Sequence, residues 1–364
     1  MPIKAKSTFK ADDVTLLLTD ITGILKPKPA EEREKLIQSG IHYSRMLPLE
    51  YKPSKDYLMQ YYHALDLFAK ETAKAVITLS EKIYLKKGKK AVLVSLARAG
   101  TPIGVLVKRY LNRKYNISVS HYTVSIVRGQ GIDSAAIQYI LNIHSAKDIQ
   151  FIDGWTGKGA ILEELYTATK ELLGSQDKRT LLAVLADPAN ITDTCGTHED
   201  IPIAGSFLNS TVCGLMSRTA IRPGIGADEF HGVAFYEELR EEDRTYEFIE
   251  RIENCCIEVL GSSYGIQGTD EIYDTGEVCG IDEVYEIAKK FAVADINFIK
   301  PGISEATRVL LRRVPDMLLI AEGIEPKYTA HLIQLAQEKN VPVVYYPLRR
   351  YRACGIIKAL TPDL

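Results

Sequence analysis

The 364-residue chain lacks most of the features that place a protein quickly. Its six cysteines include no CxxC pair, which excludes a disulfide framework or a regular zinc ribbon and suits free thiols in a reducing cytoplasm. No stretch approaches ~20 apolar residues, and the opening "MPIKAKSTFKADD" has no apolar signal core, so neither a membrane partner nor export is expected. Neither sign of charge dominates, with 45 Lys plus Arg against 47 Asp plus Glu. Any surface for nucleic acid must therefore be local. No internal repeat or low-complexity tract is visible.

What is there is alternation. Residues 56–85 carry apolar spacing of three and four and predict a long helix. The run "AVLVSL" (91–96) reads as a buried strand, followed by a helix over 102–115 with Pro102 in its first turn. A strand (117–127), a helix (133–144), a strand (148–153), a helix (159–174) and a strand (180–187) follow. Buried strands alternating with amphipathic helices predict an α/β fold, with a parallel sheet covered on both faces. Ligands in such sheets sit beyond the carboxyl ends of the strands, which directs attention to the loops after residues 96, 127, 153 and 187.

The stretch "IQFIDGWTGKGAI" (149–161) raises the question of a phosphate loop. A nucleotide P-loop needs GxxxxGK followed by Ser or Thr to hold magnesium. Here Gly154 stands three residues before Gly157, and Gly159 follows Lys158, so an ATPase is excluded. The loop "ARAGTPIG" after residue 96 also feeds a helix N-terminus, where free N–H groups bind anions.

Together the two loops resemble the type I phosphoribosyltransferases. That resemblance implies a phosphoribosyltransferase-like parallel-sheet domain and transfer from phosphoribosyl pyrophosphate, or a similar sugar phosphate, to an acceptor base left open. Magnesium would accompany the sugar diphosphate. By the same resemblance Thr156, Gly157, Lys158 and Gly159 hold the 5′-phosphate, Asp153 the ribose hydroxyls, and Ala97, Arg98, Ala99 and Gly100 the pyrophosphate. The family pattern has two adjacent acids; this chain has Asp153 followed by Gly154, in a shorter loop that includes Trp155.

Between the loops, "SIVRGQGID" places Arg128 where a mobile segment would neutralise departing pyrophosphate. Asp187, at a strand end, is a candidate for base or metal recognition, and Asn209 and Arg218 in "LNSTVCGLMSRT" are candidate substrate contacts. No resident metal site is expected. Cys195 and His198 stand three apart, close for a nucleophile and its base, which usually meet from distant parts of a sequence.

Composition shifts near 236. The division expected is a first domain over 1–235 with an N-terminal extension over 1–55, a charged helix and Gly-rich linker over 236–279, and a smaller α/β/α domain over 280–364. The last segment, with "KPGISEATRVLLRR", "LLIAEGIEP", "AHLIQLAQEKNVPVVYYP" and Gly355, looks like the Pelota and kink-turn-binding ribosomal-protein superfamily. The resemblance implies RNA binding through Lys300, Gly302, Ser304, Glu305 and Arg308.

The combined arrangement resembles a bacterial family found with tellurite-resistance and stress proteins, also labelled cysteine protease StiP. Phosphoribosyl transfer in stress-linked nucleoside metabolism is the first expectation. A cysteine hydrolase and a non-catalytic, nucleotide-sensing RNA-binding protein are the alternatives, with homodimerisation left open.

Overall fold

The computed structural model describes residues 4–174, 176–221, 226, 229–261 and 279–360. Most of the expected Gly-rich linker lies outside them. The long helix runs Lys55–Lys87; Ser54 caps it, accepting from Tyr57 N at 3.2 Å, and Gly88 ends it at φ +62°. Fourteen of its residues are buried, which is what carries so long a helix through the middle of the molecule.

The strands pair in the order Thr15–Leu16, Ser120–Val124, Val92–Leu96, Ile149–Trp155, Leu182–Ala186 and Thr194–Thr197, all parallel. Alternate side chains serve opposite faces. Leu93, Ile152, Ala183 and Leu185 pack with helices Lys55–Lys87, Gly100–Tyr115 and Thr245–Gly261. Val92, Val94, Phe151 and Val184 pack with Ser134–Leu141 and Ala160–Leu173. The expected two-faced parallel sheet is therefore present, with the Thr194–Thr197 edge strand added inside a segment read as polar loop. Among the described residues no helix is long and apolar enough to cross a membrane.

A second sheet orders Ile299–Pro301, Ala353–Ile357, Pro315–Ala321 and Val343–Tyr346; its first two pairings are antiparallel and the last is parallel. Leu319, Cys354 and Ile356 pack on Gly280–Lys290. The other face, with Leu318, Ile320 and Ala353, joins helices Ile303–Arg312 and Ala330–Glu338 to the same core that holds Tyr57, Phe68 and Phe207. Phe207 stacks on His331, with 3.7 Å between ring centroids.

The two halves also share polar contacts. Asp200, buried on the first half, accepts from Ile303 N through both carboxylate oxygens (3.0 and 3.1 Å) and from Arg352 N (2.8 Å). The start of one half's helix is thus capped by the other half's acid. Burial pushes the Asp200 carboxyl up to about 6, against the pull of these backbone donors.

Candidate functional site

The carboxyl ends of the first sheet face the start of helix Ile303–Arg312, and a cavity of about 720 Å³ lies between them. That is small-molecule scale. Its walls hold Arg33, Arg98, Arg128, Lys158, Arg218, Lys300, Arg308, Arg312 and Arg313 against the acids Asp153, Glu164, Asp295 and Glu305. A chain with a formal charge of −2 concentrates its positive charge here.

The turn after Val92–Leu96 supplies Ala97, Arg98 and Ala99 to this wall. Gly100 opens the following helix, and a Cβ there would collide with Ile152 O and lie 3.0 Å from Asp153 Cα. Only glycine lets the two strand ends approach so closely. Arg98 is buried, donating from Nη1 to Met216 O (2.7 Å) and pairing with Glu50 at 3.2 Å. Glu50 also pairs with Arg312 at 2.8 Å. Arg33 reaches Arg312 O at 3.4 Å, and Arg218 reaches Met46 O at 3.1 Å and lies over the Tyr43 ring. Burial pulls Arg218 down to about 9 and lowers Arg33 as well. Arg98 Nη2 and the Nε atoms of Arg33, Arg218 and Arg312 are buried without a hydrogen-bond partner. Four guanidinium groups thus surround a single acid, each with a donor unused.

The second loop divides its duties. Among the described residues Asp153 accepts only from its neighbour Gly154 N (2.7 Å), and burial pushes it up to about 7. Trp155 donates from Nε1 to Glu305 Oε1 at 3.0 Å. Thr156 gives its hydroxyl to Asp187 at 2.5 Å, and Gly157 O accepts from Tyr351 Oη at 2.8 Å. Lys158 bonds the carbonyls of Ile296 and Ile299, and burial lowers it to about 8. Gly159, at φ +88°, starts helix Ala160–Leu173. Arg128 reaches across to Asn297.

The cavity therefore gathers Ala97, Arg98, Ala99, Arg128, Asp153, Thr156, Gly157, Lys158, Gly159 and Arg218 with Lys300, Glu305 and Arg308. Gly100, Asp187, Asn209, Gly302 and Ser304 are not on its wall. Asp187 is fully buried, its oxygens taken by Thr156 and by the N–H groups of Ile191 and Thr192. Gly302 serves the backbone, at φ +94° with its N–H on Ala353 O. Ser304 is buried in the first turn of its helix, and Asn209 precedes the turn Ser210–Val212. Glu50, Arg33, Arg312 and Arg313 had no sequence role.

The edge of the C-terminal half expected to meet RNA looks inward. Glu305 accepts from both Trp155 and Arg308 (2.8 Å), and the Arg308 guanidinium lies 5.9 Å from the Trp155 ring centroid. Burial lowers Lys300 to about 7.

Outside the cavity, Cys195 and His198 do meet. Sγ lies 3.3 Å from Nε2, while Nδ1 lies 3.1 Å from the carbonyl and 3.6 Å from the carboxylate of Asp187. The carbonyl can only accept, so the ring proton belongs on Nδ1 and Nε2 offers its lone pair to the thiol. Thiol and carboxylate thus engage opposite ring nitrogens, which is a relay rather than a chelate for one cation. Burial pushes the Cys195 thiol up to about 12 and Cys213 up to about 11.

Residues 7–253 match the family model described as tellurite-like stress resistance cysteine protease StiP, and residues 278–359 match the PELOTA RNA binding domain. Over 97% of its length the chain is 33% identical to 94% of "Cysteine protease StiP" from Acinetobacter baylyi. A 66-residue stretch, 17% of the chain, is 38% identical to 52% of the 13 kDa ribonucleoprotein-associated protein of Saccharomyces cerevisiae. No solved structure matches. These matches correct one expectation: the family and its relative are named as cysteine proteases, hydrolases and not glycosyltransferases, so phosphoribosyl transfer is withdrawn as the activity. The two anion loops that suggested it line a cavity without defining a transfer reaction. Matched by the family model over most of its first 253 residues and by a relative along almost its whole length, the chain belongs to the StiP family.

Proposed function

We propose that this protein binds a phosphorylated small molecule in the cavity between its halves and is an RNA-binding, ligand-sensing member of its family. The observation that carries the small-molecule reading is the excess of cations on the cavity wall, nine Lys and Arg against four acids, with Arg33, Arg98, Arg218 and Arg312 gathered around the buried Glu50. Uncompensated buried charge is costly, and an anion in the cavity offsets it. Sugar phosphates, phosphoribosyl pyrophosphate among them, fit the scale of the cavity and its separated cationic walls. RNA binding is supported by the match of residues 278–359 to the PELOTA RNA binding domain.

A resident magnesium does not fit the wall. Glu305 is paired with Arg308, Glu164 is held by the N–H groups of Gly129 and Gly131, Asp295 accepts from Asn297 N, and Asp153 is pushed towards its neutral form. Calorimetry with phosphoribosyl pyrophosphate, ribose 5-phosphate and pyrophosphate tests the reading. Binding that Arg98→Ala and Arg218→Ala each weaken about tenfold or more is expected. Absence of binding by all three rejects it.

A second reading, thiol hydrolysis, is favoured by the Cys195–His198 contact and by the family's name. It predicts that Cys195→Ser and His198→Ala abolish cleavage of a peptide panel, while Arg98→Ala does not.

A further inference from the structure

The C-terminal half turns a row of cations towards the first half. Arg312 pairs with Glu50 at 2.8 Å, and Arg313 donates to both oxygens of Glu34 at 2.5 and 2.9 Å. Arg352 donates to Glu199 at 2.7 Å and to Asp200 O at 2.9 Å. Every acceptor in those contacts belongs to the first half. By contrast Arg349, beside helix Gly280–Lys290 on the other face of the sheet, pairs with Glu286 of its own half. RNA binding needs a face of cations free to meet phosphates. The face of the C-terminal half that its own acids leave unbalanced is therefore the docked one, and Glu34, Glu50 and Glu199 stand where phosphates would.

The covering is firm. Asp200 caps Ile303, Tyr351 Oη donates to Gly157 O at 2.8 Å, and Phe207 stacks on His331. RNA reaches the covered arginines only when these contacts part. The cavity lies at the same junction, with Arg98 and Arg218 on one wall and Arg308 and Arg312 on the other. A molecule that fills it touches both halves and favours the docked state.

We infer that the docked chain is closed to RNA and that the cavity ligand keeps it closed: RNA takes the face of Arg312, Arg313 and Arg352 only after the halves separate, so ligand and RNA exclude each other. The inference rests on the proposal that the cavity takes a phosphorylated molecule and the C-terminal half RNA. By linkage each then weakens the other by the same factor. Because docking must first be overcome, the apparent Kd for RNA exceeds the intrinsic one by the inverse of the open fraction. The single Trp of the chain reports the opening. Trp155 Nε1 donates to Glu305 Oε1 at 3.0 Å, with the Arg308 guanidinium 5.9 Å from its ring centroid, and separation strips both from it.

The test follows a fluorescently labelled, kinked RNA duplex binding to the full chain by anisotropy, with ribose 5-phosphate as the cavity probe and acrylamide quenching of Trp155 as the reporter. Ribose 5-phosphate at about ten times its own Kd should raise the Kd for RNA about tenfold. Arg98→Ala should remove that effect at the same concentration, which sets occupation of the cavity apart from screening. Unlabelled RNA should open Trp155 to acrylamide, and ribose 5-phosphate should protect it. Glu34→Gln and Asp200→Asn, which loosen docking, should each tighten RNA binding about tenfold or more. Glu286→Gln, which frees Arg349 on the outer face, should change it by less than about twofold. RNA that binds the parent chain with Trp155 quenching unchanged overturns the inference, whatever the folding of the variants. So does RNA that binds together with ribose 5-phosphate without antagonism. If ribose 5-phosphate gives no calorimetric binding while RNA still opens Trp155, the phosphate reading and the ligand's part fall and the masking stands. RNA that binds neither the parent nor either loosened variant rejects the RNA reading itself.

Discussion

The Glu50 carboxylate lies 3.2 Å from the Arg98 guanidinium and 2.8 Å from that of Arg312, so one buried acid joins a cation from each half of the chain. Burial pushes Glu50 upwards, and Arg98 is the foremost of the neighbours that oppose it. Replacing it with Gln leaves two guanidinium groups facing each other without an anion.

Glu50→Gln should lower the unfolding free energy by about 3–5 kcal/mol, the range seen when one partner of a buried ion pair is removed. Urea denaturation measures it. Sulfate in the buffer should restore part of the loss in the variant more than in the parent, because an anion takes the place of the acid. A variant as stable as its parent would show that these arginines need no counter-charge.

Anion binding should weaken as pH rises from 6 to 9. Asp153, at about 7, gains its negative charge over this window. Lys300, at about 7, and Lys158, at about 8, lose their positive charges. All three changes make the cavity less cationic, so the signs add. Sulfate keeps its own charge throughout and is the clean probe; its Kd should rise about tenfold or more. Asp153→Asn should remove one component of the profile and leave the lysine component. A flat profile in the parent would mean that sulfate binds elsewhere.

The Cys195 thiol should be inert in the folded protein. With burial holding it at about 12, only about one molecule in 10⁴–10⁵ carries a thiolate at pH 7.5. Iodoacetamide should label the half-buried Cys279 first and reach Cys195 only after denaturation, as read by peptide mass mapping. Labelling of Cys195 within minutes in the folded state would instead reveal an activated nucleophile and strengthen the hydrolase reading.

Gly100→Ala should destabilise the protein by about 2 kcal/mol or more, since the added methyl meets strand backbone that has little room to give. It should also weaken sulfate binding, because Arg98 stands in the same turn. Thermal melting and calorimetry on one preparation give both numbers.

Much of the fold could be read from periodicity, because buried strands and amphipathic helices repeat at intervals that the residues themselves display. Val92–Leu96 and Leu182–Ala186 are buried at every position and apolar at all but Ser95, and the 33-residue helix is capped by a serine and ended by a glycine. The edge strand Thr194–Thr197 was hidden, since "TCGT" has no apolar alternation and owes its conformation to pairing with Leu182–Ala186. The loop residues of the site could be found because glycines and strand ends mark them. Glu50, Arg33 and Arg312 could not, as each is an ordinary charged residue until folding brings three distant segments together. The closeness of Cys195 and His198 in sequence argued against their pairing, yet a strand end lets residues three apart turn back to each other. The inward orientation of Glu305 and Arg308 was invisible for another reason: it depends on docking between halves, which no local pattern records.

Asp200 capping Ile303 has a thermodynamic consequence. Separating residues 279–360 from the rest would leave the Ile303 and Arg352 N–H groups without their acceptor and expose the faces of Leu310, Leu332 and Leu335 that pack into the common core. Neither half can lose its partner at the cost of surface contacts alone. Heating should therefore melt the chain in a single calorimetric transition, with equal calorimetric and van't Hoff enthalpies, where two independently folded modules would give two.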